Sequence, residues 1–187
     1  MLRKILAISL LSVTSIAVAD TLDIALSDSS AHFKYGVPGG LAGKSEVYAE
    51  LMFNDVDSII GGVGLLVAND ELNAPGLTIG AGAKAVFATI KETPTRKNAS
   101  ALALGAQVRY ELPAERRVAF AAELYFAPKI IAFGDIDRYQ QYGGRAEFSV
   151  SPQMQVYAGY RRTAFEVRNG GEVVLIDGPH LGMQLSF

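Results

Sequence analysis

The sequence predicts an all-β fold, an antiparallel up-and-down transmembrane β-barrel that follows a cleaved leader. Three observations predict it. Short runs of period-two hydrophobicity recur along the chain and are separated by turn residues. No stretch beyond the leader is apolar and long enough to cross a bilayer as a helix. In residues 180–187, Leu181, Met183, Leu185 and Phe187 alternate with His180, Gly182, Gln184 and Ser186, and the run stops on an aromatic residue. A last amphipathic strand of this form is what the outer-membrane assembly machinery of Gram-negative bacteria engages, so these four apolar residues are the expected assembly signal.

The chain has 187 residues, enough for one domain. Arg3 and Lys4 precede an apolar run over residues 5–18 that only Ser and Thr interrupt. Ala17-Val18-Ala19 then meets the small-x-small rule of signal peptidase, which places cleavage after Ala19 and makes residues 20–187 the barrel domain. Losing Arg3 and Lys4 takes the 17 basic residues to 15 against 19 acidic ones, a net charge near −4. That balance argues against a nucleic-acid partner. There is no cysteine, which excludes a lipoprotein anchor, a disulfide framework, a thiolate metal site and a Cys nucleophile.

In residues 45–54, Val47, Ala49, Leu51 and Phe53 share one face and Glu46, Tyr48, Glu50 and Met52 the other. Asn54 and Asp55 open a turn. Residues 59–68 set Ile59, Gly61, Val63, Leu65 and Val67 against Gly62, Gly64 and Leu66, and a polar loop with Pro75 follows. Leu77, Ile79, Ala81, Ala83, Ala85 and Phe87 make a lipid-type face opposed by Thr78, Gly80, Gly82 and Lys84. Residues 91–100 are hydrophilic and are expected to form an exposed loop.

Residues 101–112 alternate without an error, with Gln107, Arg109 and Glu111 on the polar face. Pro113 marks a short turn into Val118, Phe120, Ala122, Leu124 and Phe126, with Glu123 facing the other way. Residues 127–138 read as a second longer loop with an apolar centre. Tyr142, Ala146, Phe148 and Val150 then oppose Gln141, Arg145, Glu147 and Ser149. After Pro152, Val156, Ala158 and Tyr160 oppose Tyr157, Gly159 and Arg161. Asn169-Gly170-Gly171 is a hairpin signal leading into the last strand.

From residue 45 onward this counts eight strands, and eight is the favoured number. Residues 21–35 complicate it: Leu22, Ile24 and Leu26 alternate, then Ala31, Phe33 and Tyr35 do so in the opposite phase. One strand there would make nine, against the even-number rule. Two strands split at Asp28-Ser29-Ser30 would make ten, each shorter than a bilayer asks.

Several pieces carry a family likeness: Leu26-Ser27-Asp28-Ser29-Ser30-Ala31, Tyr125-Phe126-Ala127-Pro128, Asp135-Ile136-Asp137-Arg138-Tyr139, Ala158-Gly159-Tyr160-Arg161, and Asp177-Gly178-Pro179-His180-Leu181-Gly182 running into Ser186-Phe187. In these the chain resembles the YfaZ family of outer-membrane proteins. The resemblance implies an outer-membrane barrel and carries over no catalytic residue.

Charged groups facing lipid cost several kcal/mol near the midplane. Glu50, Lys84, Arg109, Glu123, Arg145, Glu147 and Arg161 are therefore expected inside the barrel as a network that pairs with itself. A narrow ion or small-solute channel is the alternative use of that network. A lipid- or lipopolysaccharide-modifying enzyme is a second alternative, built on His32 beside Asp28, Ser29 and Ser30, or on His180 near Asp177. Sequence neighbours on a strand point to opposite faces, which weakens both constellations. Asp135 and Asp137 lack a third ligand, so no metal and no cofactor is expected. The glycines of residues 61–64 and 80–82 read as curvature and close packing rather than a nucleotide loop. The expectation is a monomeric, non-catalytic protein of the outer membrane, in contact with its lipid and lipopolysaccharide.

Overall fold

In the computed structural model of the chain, the described residues are 20–40, 44–55, 58–70, 74–92, 95–168 and 170–187. The expected cleavage residues Ala17 and Ala19 lie outside them, as does Asn169 of the hairpin signal. The strands are β1 (Thr21–Leu26), β2 (Ser30–Pro38), β3 (Lys44–Asn54), β4 (Ile59–Asn69), β5 (Leu77–Glu92), β6 (Thr95–Glu111), β7 (Val118–Ala127), β8 (Ala132–Gly134), β9 (Ile136–Ser151), β10 (Met154–Val167) and β11 (Glu172–Ser186). All pair antiparallel. Ten of them form a ring that closes where Thr21 of β1 lies opposite Ser186 of β11 and Leu26 lies opposite Leu181.

The ring thus has ten strands rather than the favoured eight. The extra pair is the hairpin of β1 and β2, in which Leu22 lies opposite Tyr35 and Leu26 opposite Ala31. Its turn holds itself together: Ser27 N–H donates to Ser30 O at 2.8 Å, and Ser27 Oγ accepts from Ser30 N–H at 2.9 Å. The phase reversal between Leu26 and Ala31 is the mark of that turn, because a chain that doubles back presents the opposite parity to lipid.

The two expected loops also differ. Residues 91–92 and 95–100 are paired strand, with Thr89 opposite Asn98 and Glu92 opposite Thr95. Their hydrophilicity reflects a hairpin rising beyond the apolar band, not the absence of a ladder. Within residues 127–138, a single 3-10 turn at Lys129–Ile131 precedes β8. β8 lies outside the ring and continues the direction of β7 along β6, with Ala132 opposite Ala101 and Gly134 opposite Ala99. Gly134 takes a positive φ of 82°, which turns the chain into β9.

Leu51, Val63, Phe87, Leu104, Phe120, Leu124 and Leu181 all lie exposed on the outer face. An apolar girdle this extensive does not suit water. A closed ring with lipid-type side chains outside and charges inside is the architecture of an outer-membrane-type barrel. Both ends of the ring can be distinguished. Asp20 and Phe187 exchange backbone hydrogen bonds of 2.9 and 3.0 Å at one, the terminal end. The β5–β6 hairpin stands at the other, the hairpin end. At the terminal end, Lys44, the first residue of β3, donates to Asp70 just past the end of β4 and holds that carboxyl below the usual carboxylate range.

Candidate functional site

The inward positions change character in the same order on several strands. From the terminal end upward, β5 presents Lys84, Val86, Ala88 and Ile90, while β10 presents Arg161, Thr163, Phe165 and Val167. On β9 the order is Glu147, Arg145, Gln141, Tyr139. The lumen is therefore layered.

At the hairpin end the layer is apolar. Met52, Ile60, Val86, Ile90, Ile136, Tyr139, Phe165 and Val167 are buried against one another, and the rings of Tyr139 and Phe165 meet at 5.0 Å between centroids with their planes tilted by 49°. Nothing in the alternation of the sequence announced this plug. Small inward residues on β6 (Ala99, Ala101, Ala103) leave room for the large ones opposite.

Below it lies a closed circuit of polar groups. Lys84 Nζ donates to Glu50 Oε1 at 2.7 Å and to Gln141 Oε1 at 2.9 Å. Gln141 Nε2 donates to Glu123 Oε1 at 2.9 Å, and Tyr139 donates to Gln141 at 2.6 Å. Arg161 Nη1 lies 2.7 Å from His32 Nδ1. Two longer electrostatic contacts complete the circuit: Arg161 Nε to Glu123 at 3.5 Å and His32 Nε2 to Glu50 at 3.4 Å, neither with hydrogen-bond geometry. Arg161 can only donate, so His32 must accept at Nδ1 and carry its proton on Nε2, towards Glu50. The six groups come from β2, β3, β5, β7, β9 and β10, so the circuit braces the barrel from wall to wall.

The third layer is a chamber of about 190 Å³, large enough for several waters. All seven of the expected interior charges, Glu50, Lys84, Arg109, Glu123, Arg145, Glu147 and Arg161, line it. So do four residues of the first three strands that sequence reasoning did not place there: Asp23, His32, Lys34 and Glu46. The alternation could have found Glu46, which shares its face with Glu50. The other three waited on the β1–β2 hairpin. With them the lining carries five cations (Lys34, Lys84, Arg109, Arg145, Arg161) and five anions (Asp23, Glu46, Glu50, Glu123, Glu147). Glu147 accepts from both Arg109 and Arg145 at 2.8 Å, and Arg145 also donates to Asp23 at 3.1 Å. Lys34 donates to Glu46 at 2.9 Å. The side chains of Lys34 and Arg109 are 24% and 28% exposed, against 1% for Lys84, so the chamber opens at the terminal end and is blind at the other.

Three tyrosines reach into this lumen across glycines on neighbouring strands. Tyr48 of β3 lies over Gly64 of β4, Tyr125 of β7 over Gly105 of β6, and Tyr157 of β10 over Gly182 of β11. The hydroxyls of Tyr48 and Tyr125 meet at 3.1 Å, and Lys84 sits 4.4 Å from the Tyr125 ring. Tyr157 passes over β11 to donate to Asp23 on β1.

The hydrolytic constellations do not assemble. Asp28 and Ser29 stay on the exposed turn, bonded to each other at 3.3 Å, while His32 faces the lumen. Asp177 accepts from Tyr160 on the outer side of the wall, whereas His180 faces inward against Tyr157, 5.8 Å between ring centroids. Asp137 is taken up by Lys129 and Arg168 at 3.0 and 3.2 Å. Among the described residues no cluster of three metal-ligating side chains occurs. Leu181, Met183 and Phe187 of the last strand lie on the lipid side.

The model of the YfaZ precursor family matches residues 2–187. The chain belongs to the YfaZ family. Among curated proteins no match to this YfaZ-family chain is found. Similar solved structures include the outer membrane channel DcaP of Acinetobacter baumannii, with 12% identity, a TM-score of 0.45, and coverage of 88% of this chain and 54% of that one. The chain thus spans about half the length of that channel. The KdgM porin has 10% identity and a TM-score of 0.46 over 91% of this chain and 99% of its own, and the NanC porin 11% and 0.47 over the same shares. At these scores the likenesses lend nothing to the function of the YfaZ-family barrel.

Proposed function

We propose that this YfaZ-family barrel sits in the outer membrane as a non-catalytic, non-conducting envelope protein, a monomer in contact with membrane lipid and lipopolysaccharide. Export is by the leader cleaved after Ala19, and Leu181, Met183, Leu185 and Phe187 present the last strand to the assembly machinery. The observation that carries the reading is the apolar plug. Ile90, Ile136, Tyr139 and Phe165 have no accessible surface, and they close the bore above a circuit in which Lys84 is paired with Glu50 and Arg161 lies beside Glu123. An ion that entered from the terminal end would have to part Lys84 from Glu50 and then shed its hydration among hydrocarbon side chains, which is costly.

Planar-bilayer recording of the purified, heat-modifiable protein tests it. The wild type is expected to give no steady current steps, and Tyr139→Ala with Phe165→Ala is expected to give them. Steps of fixed size from the wild type would overturn the sealed reading in favour of a narrow channel.

A further inference from the structure

The charge circuit marks one level on walls that face each other across the lumen. His32 lies 3.4 Å from Glu50 of β3 and 2.7 Å from Arg161 of β10, and Lys84 joins Glu50 to Gln141 of β9. The outward side chains beside these markers can therefore be compared strand by strand. On β3 the outward apolar run is Val47, Ala49, Leu51 and Phe53, centred on Glu50. On β10 the run is Met154, Val156, Ala158 and Tyr160, and it stops one residue short of Arg161. β9 agrees with β10: Tyr142, Ala146, Phe148 and Val150 all lie on the terminal side of Gln141.

Past the circuit, β9 and β10 turn polar. Their next outward residues are Gln140 and Arg138 on β9 and Arg162 on β10. Arg162 donates to Glu172 at 2.7 Å and lies 3.7 Å from Asp177, while Arg138 meets Glu166 at 2.9 Å. Across the ring, Phe53 and Phe87 are still exposed on the hairpin side of the circuit. An upright barrel would hold the Arg162 cluster at the depth where β3 presents Leu51 and Phe53 to lipid, which is costly for charged groups. The difference is not a notch in one wall, because it recurs at the terminal end. There the run on β3 ends at Val47, next to Ser45, whereas β9 and β10 stay apolar as far as Val150 and Met154. The band on β10 is as wide as that on β3 and is displaced as a whole.

Its midpoint is level with Glu50 on β3 but falls at Tyr157 on β10, four residues (161 − 157) nearer the terminal end than Arg161. Each residue of a strand tilted near 40° rises about 2.5 Å, so the band drops by about 10 Å across a ring roughly 20 Å wide. We propose that the barrel is seated in the bilayer with its axis inclined by an angle on the order of 20°. The β9–β10 wall is raised, so that Arg162, Glu172 and Asp177 meet headgroups and water, and the β3 wall is drawn down into hydrocarbon. Aromatic side chains then line the hairpin-side rim on both walls, Phe53 and Phe87 on one and Tyr142 and Tyr160 on the other. The proposal rests on the membrane placement above and adds the attitude of the barrel within it.

The chain has no cysteine, so a single introduced one carries a nitroxide label alone. Two pairs of positions have matched levels. Ala49→Cys and Tyr160→Cys lie one residue to the terminal side of Glu50 and Arg161, and Val47→Cys and Ala158→Cys lie three. Folded variants, checked by heat-modifiable migration in phosphatidylcholine vesicles, are read by power saturation with oxygen and with a nickel chelate, which reports distance from the bilayer centre. The label at position 160 is expected to be about 5 Å shallower than that at 49, and the label at 47 about 5 Å shallower than that at 158. The shallower member thus changes strand between the pairs. Equal depths within each pair, or the opposite order, overturn the inclination. A difference in one pair alone means that the bilayer thins locally against one wall, and it overturns the inclination as well. Nickel access at all four positions equal to that of a label in water overturns the membrane placement instead.

Discussion

Lys84 holds its ammonium on a side chain that is 1% exposed, between Glu50 and Gln141 and beside the ring of Tyr125. Deleting one member of a buried pair strands the other, so Lys84→Met is expected to cost about 3–5 kcal/mol. Urea unfolding in detergent micelles measures it, and Glu50→Gln in the same background should recover most of the loss. If the single variant unfolds at the wild-type midpoint, the circuit does not brace the barrel. The glycines beneath the tyrosines give a second residue-level test. A Cβ on Gly182 would overlap the Tyr157 ring, whereas a Cβ on Gly178 would meet nothing within 4 Å. Gly182→Ala is therefore expected to cost about 1–3 kcal/mol and Gly178→Ala close to none. The Gly182 penalty should disappear in a Tyr157→Ala background, since the two effects act through one contact. An unchanged penalty there would mean that Gly182 is needed for its backbone and not for the ring.

Among the elements, β1 is the weak member. It pairs with β11 only from Thr21 to Leu26, while the β5–β6 ladder runs from Leu77 opposite Tyr110 to Glu92 opposite Thr95. Opening a short ladder exposes fewer groups, so amides of residues 21–26 are expected to exchange with deuterium before those of residues 77–92. The reverse order would show that Asp23, held by Arg145 and Tyr157, makes the seam stronger than its length. The same element marks the limit of sequence reading. Strands from β3 to β11 were legible, β8 apart, because each long strand has a lipid face and a polar face. Their inward charges could be named for the same reason. The reversal of phase after Leu26 was visible too. What hid β1 was the requirement that a spanning strand be long, a rule for isolated strands that β1 evades because it is paired on both edges, with β2 and with β11. The loops misread at residues 91–100 and 127–138 failed on a different point. Hydrophilic residues can form paired strand wherever the ladder leaves the bilayer, and polarity alone does not say where a strand ends.

At the scale of the whole molecule, the layers make a lumen closed at one end and neutral at the other. The neutrality has an electrical consequence once the plug is gone. Alternation named Lys84, Arg109, Arg145 and Arg161 against Glu50, Glu123 and Glu147, a small cationic excess. The hairpin of β1 and β2 and the start of β3 bring in Asp23, Lys34 and Glu46, and the two signs then balance. A bore lined in this way should not strongly prefer either sign of ion. In the Tyr139→Ala/Phe165→Ala variant, the reversal potential under a tenfold potassium chloride gradient is therefore expected to lie near zero. Adding Arg109→Gln and Lys34→Gln at the open end leaves five anions against three cations, and the potential should move towards that of a cation-selective pore. Strong anion selectivity in the first variant would mean that the acidic side chains stay locked to their partners while the arginines face the passing ion, so that the chamber is neutral in count but not in field.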